Sequence, residues 1–260
     1  MAKPDFLFCW PLWEVASSVD VMKMLAGQAE KNVAVAVKAI DIPGAVSEWE
    51  FEDECYQPDG SVRPVLRSGY SFGSCHSEDL DELRTEYCHL ITQLIRRSAF
   101  LTIYGLFEHR MRECLTLLRE ITGYQEKIGM GTIEELHYVL TKVAGASHIQ
   151  DIDQITVIRN IMAHSNGVAI GFQEIQQRLE KKTPSERRLL RAINRIQKEN
   201  GGVRVNDFSQ VLMDEGFLMY TINDMQRYIE CLDDVTRACY LQKKACSDEQ
   251  ALKESNGSLL

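Results

Sequence analysis

From Ser77-Glu78-Asp79 to about Thr122-Gly123 the chain repeats apolar residues at the spacing of an α-helix. Leu94, Leu101 and Leu115 stand seven apart, Glu108 takes the fourth place in that row, and Tyr104, Met111 and Leu118 fill the alternate heptad places. A stripe of this kind buries itself against other helices, so a mostly α fold is expected, with about four long helices as its core. At roughly 45 residues the pattern is long for one globular helix, which leaves room for a break near Arg96 to Ser98. Glu108 is its anomaly. A carboxylate on an apolar row is costly unless a base is paired with it.

The remaining elements follow from punctuation. Trp10-Pro11-Leu12-Trp13 opens an apolar-periodic stretch to Ile40, with a helix start at Ser17-Ser18-Val19-Asp20. Residues 41–77 hold Pro43-Gly44, Pro58-Asp59-Gly60, Pro64 and Gly69 among scattered aromatics, which predicts an irregular segment with room for a hairpin. Helices are expected from about Thr132 to Ala144 and from Gln150-Asp151 to His164, the latter stopped by Ser165-Asn166-Gly167. Two short helices follow, Phe172 to Lys182 and Thr183 to Asn200. The second carries a capping box in Thr183-Pro184-Ser185-Glu186. Val203-Arg204-Val205 reads as extended and Thr221 to Lys244 as the last helix. This divides the chain into an N-terminal extension (1–76), a helical domain (77–246) and a polar tail (247–260) expected to fray.

Composition narrows the function classes. With 45% hydrophobic and 26% charged residues in 260, the chain is neither disordered nor a coiled-coil rod. Its net charge of −9 repels phosphate overall, so contact with a nucleic acid has to be local. No apolar run approaches the length of a membrane span and no basic region leads into one at the N-terminus, so neither membrane nor secretion is expected. Eight scattered cysteines without a CxxC pair fit a reducing, cytoplasmic setting. No metal or cofactor is expected. Cys75-His76 and Cys88-His89 are adjacent pairs that no second compact pair completes, and no phosphate-binding glycine loop occurs.

Three segments invite a chemical reading. Gly69-Tyr70-Ser71-Phe72-Gly73 matches a G-x-S-x-G nucleophile elbow, but that motif needs a strand–turn–helix in an alternating β/α chain, so a flexible glycine loop is the better reading. The stretch Lys181 to Lys198 sets Lys181, Lys182, Arg187, Arg188, Arg191, Arg195 and Lys198 against Glu186 alone, with Arg187, Arg191 and Arg195 spaced four apart as a stripe. A local basic patch on an acidic chain focuses a polyanion onto one side, although such runs are usually solvated faces. In Val157-Ile158-Arg159-Asn160-Ile161-Met162-Ala163-His164, Asn160 and His164 share a helix face, while Arg159 is free to meet the acid left over on the long helix, Glu108. These polar residues could equally be a network that locks helices together. Arg84 and His89 repeat the spacing without that context.

Arg159-Asn160-Ile161-Met162-Ala163-His164 with Gly167 resembles the R-x4-6-H signature of the HEPN superfamily (higher eukaryote and prokaryote nucleotide-binding). Leu101 to Met111, with an aromatic-x-x-x-Glu run, is similar to that family's first core helix. The likeness covers about residues 80–245, with the basic helices after Gly167 as an insertion; residues 1–76 are outside it. It implies a HEPN-like four-helix bundle that pairs as a homodimer across a cleft, and a metal-independent endoribonuclease acting as a toxin or antiphage effector under an antitoxin or other regulatory protein. Carried residue by residue, His164 would be the general acid/base for attack of a ribose 2′-hydroxyl on the adjacent phosphate. Arg159 would stabilise phosphoryl charge, Asn160 would orient phosphate or His164, and Glu108 would hold Arg159. Lys181, Lys182, Arg187, Arg188, Arg191 and Arg195 would guide RNA. Two places after the histidine stands Asn166, where members silenced by AMPylation carry Tyr. The alternative that the likeness leaves open is a non-catalytic interaction or nucleotide-binding module.

Overall fold

A computed structural model describes residues 10–126 and 129–257, with side chains up to 246; expectations resting on residues 1–9, Cys9 included, and on 258–260 lie outside the described residues. The first helix, α1 (Trp10–Ala39), buries Leu12, Val15, Val19, Met22, Ala26, Ala29 and Val33, which advance by threes and fours along one face. It starts ahead of Ser17. Ser18, read from sequence as part of a cap, instead turns its hydroxyl onto the Val15 carbonyl at 2.6 Å inside the helix.

Residues 41–77 are mostly strand rather than irregular. β1 (Ser47–Tyr56), β2 (Val62–Phe72) and β3 (Cys75–Ser77) form an antiparallel sheet in that order. The turn chemistry is as the sequence reads. Gly60, at φ +83°, donates to the Gln57 carbonyl, and Asp59 accepts from the Ser61 amide at 2.9 Å and its hydroxyl at 2.6 Å. Gly69 is buried under the Trp49 ring, where an added Cβ would lie 2.6 Å from the indole, and Gly73 makes the turn into β3. The G-x-S-x-G stretch is therefore a strand end and a tight turn with no helix after it, neither an elbow nor a loose glycine loop.

α2 (Leu80–Thr122) runs 43 residues with no break at 96–98. Asp79 caps it by accepting from the Asp81 and Glu82 amides, both at 2.8 Å, and Arg96 binds Glu30 of α1 with two bonds of 2.8 and 2.7 Å. Its buried stripe is Phe100, Ile103, Tyr104, Phe107, Met111, Cys114, Leu115 and Leu118. The heptad row that the sequence picks out runs along the flank of this stripe, with Leu94 46% exposed and the Glu108 side chain 24% exposed, and joins it only at Leu115. A straight helix of 3.6 residues per turn drifts about 20° per heptad, which carries a seven-residue row across the edge of the buried face.

α3 (Thr132–Tyr138) continues into a π-helical turn, Val139–Val143, closed by the Ala144 amide on the Val139 carbonyl at 2.9 Å. α4 (Asp153–His164) and α5 (Phe172–Gln177) follow, the latter shorter than expected. α6 (Pro184–Lys198) starts on the capping box read from sequence, Thr183 Oγ1 accepting from the Glu186 amide at 3.3 Å and Glu186 Oε2 from the Thr183 amide at 2.6 Å. Val203–Val205 (β4) pairs antiparallel with β5 (Val211–Met213), and α7 (Phe217–Gly257) ends the described chain, its backbone helical beyond residue 246 where fraying was expected. The protein is mostly helical, with two small antiparallel sheets.

The chain forms two compact units, residues 27–99 and the described residues up to 26 together with those from 100 onward. α1 and α2 each pass from one unit to the other. In the smaller unit Ile40, Cys75 and Leu83 form a core flanked by Phe72 and Tyr87, whose rings meet edge to face at 4.5 Å. In the larger unit Phe100 packs on Phe217 at 5.0 Å and Phe107 on Tyr228 at 6.5 Å, while Arg110 binds Glu14 at 2.8 Å. Phe100, Phe107 and Phe217 are fully buried, each contributing about 2 to 3 kcal/mol relative to exposure.

Candidate functional site

α4 buries Gln154, Ile155, Thr156, Val157, Ile158, Ile161 and Met162, and keeps Arg159 and Asn160 half-buried at the edge of the core. Its end is fixed by backbone geometry. Asn166 and Gly167 adopt left-handed φ of 50° and 81°, the Gly167 amide returns to the Ile161 carbonyl at 3.0 Å, and the Gly167 carbonyl accepts from Val211 at 2.8 Å. His164 is thereby the last helical residue. It is exposed and makes no side-chain hydrogen bond among the described residues.

Arg159 is held on three sides. Its Nη2 donates to Glu108 Oε2 at 3.1 Å, its Nη1 donates to Asn160 Oδ1 at 2.9 Å, and its Cζ lies 5.1 Å from the centre of the Tyr104 ring. The two ion-paired side chains keep 30% and 24% of their surface exposed. Tyr104 is buried and shares a 3.1 Å hydrogen bond with Thr156 Oγ1; burial, more than any neighbouring charge, pushes its phenol up to about 12. Tyr104 and Glu108 are one turn apart on α2 and so present ring and carboxylate side by side. The structure thus brings Arg159, Asn160 and Glu108 together and adds Tyr104, to which the sequence reading gave a place in the apolar stripe and in the aromatic-x-x-x-Glu run but no part in the site. His164 stands one turn beyond Asn160 on the same face of α4.

The six basic residues read as an RNA patch divide into two sets. Lys181, Arg187 and Arg191 are exposed with no ion pair among the described residues, and Arg187 and Arg191 line a shallow depression with Pro184, Leu190 and Asn194. Lys182 donates to the Arg178 carbonyl at 2.7 Å. Arg188 forks onto Asp153 at 2.5 Å and Glu134 at 2.9 Å, contacts that raise its already high pKa further. Arg195 reaches Asp151 at 3.1 Å and Glu199 at 3.2 Å. These two arginines fasten α6 to its neighbours. Their acid partners lie 35 to 54 residues away in sequence for Arg188 and could not be matched to it by spacing.

The other segments carry no such grouping. Arg84 pairs with Asp41 and Asp81, and His89 lies among Asp81, Glu82 and Glu86. The described cysteines are free, and burial pushes the Cys114 thiol up to about 12, as befits a small hydrophobe. No group of three His, Cys, Asp or Glu suited to a metal occurs among the described residues, and none of their helices is long and apolar enough to cross a membrane. No family model, curated protein or solved structure matches the chain. What the fold and site define is a mostly helical protein with an arginine-centred polar cluster between two helices.

Proposed function

We propose that this protein is a metal-independent endoribonuclease of the HEPN type, acting as a toxin or defence effector from a helical bundle and a composite dimer site. The observation that carries the reading is the 3.1 Å contact of Arg159 with Glu108. It joins the helix bearing the Arg-Asn-x-x-x-His motif to the helix bearing the aromatic-x-x-x-Glu run, two features that resemble the family independently. In this reading Glu108 and Tyr104 hold the guanidinium at a fixed place, where it offsets charge developing on a scissile phosphate. His164, exposed at its helix end, takes the proton from the 2′-hydroxyl or delivers one to the leaving 5′-oxygen. Each cleavage breaks the P–O5′ bond as the 2′-oxygen bonds to phosphorus, so the products are a 2′,3′-cyclic phosphate and a 5′-hydroxyl. Lys181, Arg187 and Arg191 supply exposed positive charge for the strand; an antitoxin or regulator would restrain the activity.

The test is the chemistry of the ends. Mixed cellular RNA incubated with the protein in EDTA is expected to acquire new cyclic-phosphate and 5′-hydroxyl termini; ends of any other kind, or no new ends, would count against the reading.

A second reading is favoured by one observation, the engagement of both terminal nitrogens of Arg159 within the chain. On it, Arg159, Asn160 and Glu108 are a structural latch in a binding module. It predicts no cleavage of any RNA and a stability loss for Arg159→Met as the only phenotype.

A further inference from the structure

The smaller unit carries a surface that the ribonuclease reading does not use. β1 is an outer strand of its sheet, paired by β2 on one side and by nothing on the other among the described residues. The register decides which of its main-chain groups face outward. The Gln57 amide donates to the Ser61 carbonyl at 2.8 Å, so alternate residues back along the strand, Cys55, Asp53, Phe51, Trp49 and Ser47, aim their main-chain groups at β2. Glu48, Glu50, Glu52 and Glu54 aim theirs outward. Pro64, opposite Glu54, agrees with this phase, since its missing N–H falls on the side away from β1. The Glu54 amide is taken by the Asp53 side chain at 2.9 Å, whereas those of Glu48, Glu50 and Glu52 have no partner among the described residues.

The same four glutamates lie on one face of the strand and are exposed. Their cross-strand neighbours, Tyr70, Ser68, Leu66 and Pro64, include no base. Arg67 and Arg63 are on the opposite face, and Arg67 binds Asp53 at 2.8 Å and Glu78 at 2.9 Å. The row is therefore uncompensated by its own sheet. A second copy of β1 laid along this edge would set glutamate against glutamate, so the edge refuses self-pairing while its hydrogen-bonding groups stay open.

We propose that the outer edge of β1 is a docking site for an extended segment of a partner protein with lysine or arginine at alternate positions. Such a segment adds as a fourth strand. Its main chain pairs with Glu48, Glu50 and Glu52, and its basic side chains fall opposite the glutamate row. Strand addition supplies the affinity and the charge alternation selects the partner and its register.

The probe is a synthetic peptide of alternating lysine and valine, read by fluorescence anisotropy against the full chain, with a control peptide of the same composition whose lysines are contiguous. The alternating peptide is expected to bind at least tenfold more tightly than the control. Opposite-charge pairs across strands contribute up to about fivefold each, so Glu50→Lys with Glu52→Lys is expected to weaken binding by tenfold or more. Glu50→Gln and Glu50→Pro remove the same charge, but only proline removes the outward N–H. Proline is expected to weaken binding at least fivefold beyond glutamine. In the wild-type chain, amide exchange at Glu48, Glu50 and Glu52 is expected to slow when the alternating peptide is added, a readout independent of any variant. Equal binding of the two peptides, equal effects of proline and glutamine in folded variants, unchanged exchange at those amides, or pairing of β1 with a second copy would each overturn the proposal.

Discussion

Replacing Arg159 by Met removes the guanidinium while keeping most of the side chain's apolar length. Three contacts go with it: the Glu108 ion pair, the Asn160 hydrogen bond and the stacking over Tyr104. A fully exposed ion pair contributes about 0.2 to 1 kcal/mol, and breaking a buried one costs about 3 to 5. With side chains 30% and 24% exposed, this pair belongs near the lower part of that interval, about 1 to 1.5 kcal/mol. The cation–π contact adds about 0.5 to 1 kcal/mol. The expected loss is therefore about 2 kcal/mol, or about 4 to 8 °C in melting temperature for a unit of this size. Of the three tryptophans, Trp10 and Trp13 belong to the unit that carries Arg159 and Trp49 to the other, so a Trp49→Phe background makes fluorescence report on the relevant unit in urea unfolding. A cycle with Glu108→Gln separates the pair from the rest and is expected to return a coupling of about 1 kcal/mol. Stability within 0.5 kcal/mol of the parent, or strict additivity in the cycle, would refute the reasoning.

The division of the basic patch makes a paired prediction. Arg188→Ala strands Asp153 and Glu134 and is expected to lower stability by about 1 to 2 kcal/mol in thermal unfolding. Arg187→Ala and Arg191→Ala are expected to leave the melting temperature alone and to reduce the salt dependence of RNA binding by about one released counterion each. Burial lowers the pKa of His137, whose Nδ1 has no partner among the described residues, so the unfolded chain takes up this proton more readily. Its contribution to stability is then complete above the ordinary histidine pKa and falls as pH drops through it. His137→Leu should flatten the fall in stability between about pH 7 and 5, measured by urea midpoints. Gly69→Ala should displace the Trp49 ring, seen as a change in its emission, whereas Ser71→Ala should alter neither stability nor any hydrolytic activity.

The parts of this molecule written in local chemistry were the legible ones. The capping box at Thr183 and Glu186, the left-handed stop at Asn166-Gly167 and the turn at Pro58-Asp59-Gly60 each depend on residues within a few places of one another, so residue type at fixed spacing suffices. The pairing of Glu108 with Arg159 was legible for a different reason: a carboxylate beside an apolar stripe has to find a base, and Arg159 follows the apolar pair Val157-Ile158 on a largely buried helix. Strands were harder. In β1 the alternation of Glu48, Glu50, Glu52 and Glu54 with Trp49 and Phe51 is a clear period of two, but neither face is fully buried, so no continuous apolar face announces it. β5 is a three-residue buried run with no alternation to read. The commitments of Arg188 to Asp153 and Glu134 and of Arg195 to Asp151 depend on acids far away in sequence, and those are products of the fold.

The ribonuclease reading stands or falls on His164. Its imidazole is exposed and makes no hydrogen bond or ion pair among the described residues, so His164→Ala should leave the melting temperature within about 1 °C of the wild type. Single-turnover cleavage of RNA in EDTA by the two proteins is the direct comparison. The account predicts a rate at least a hundredfold lower for His164→Ala, the range expected for removal of a general acid or base. A variant that cuts RNA at the wild-type rate, with the same cyclic-phosphate ends, would contradict it.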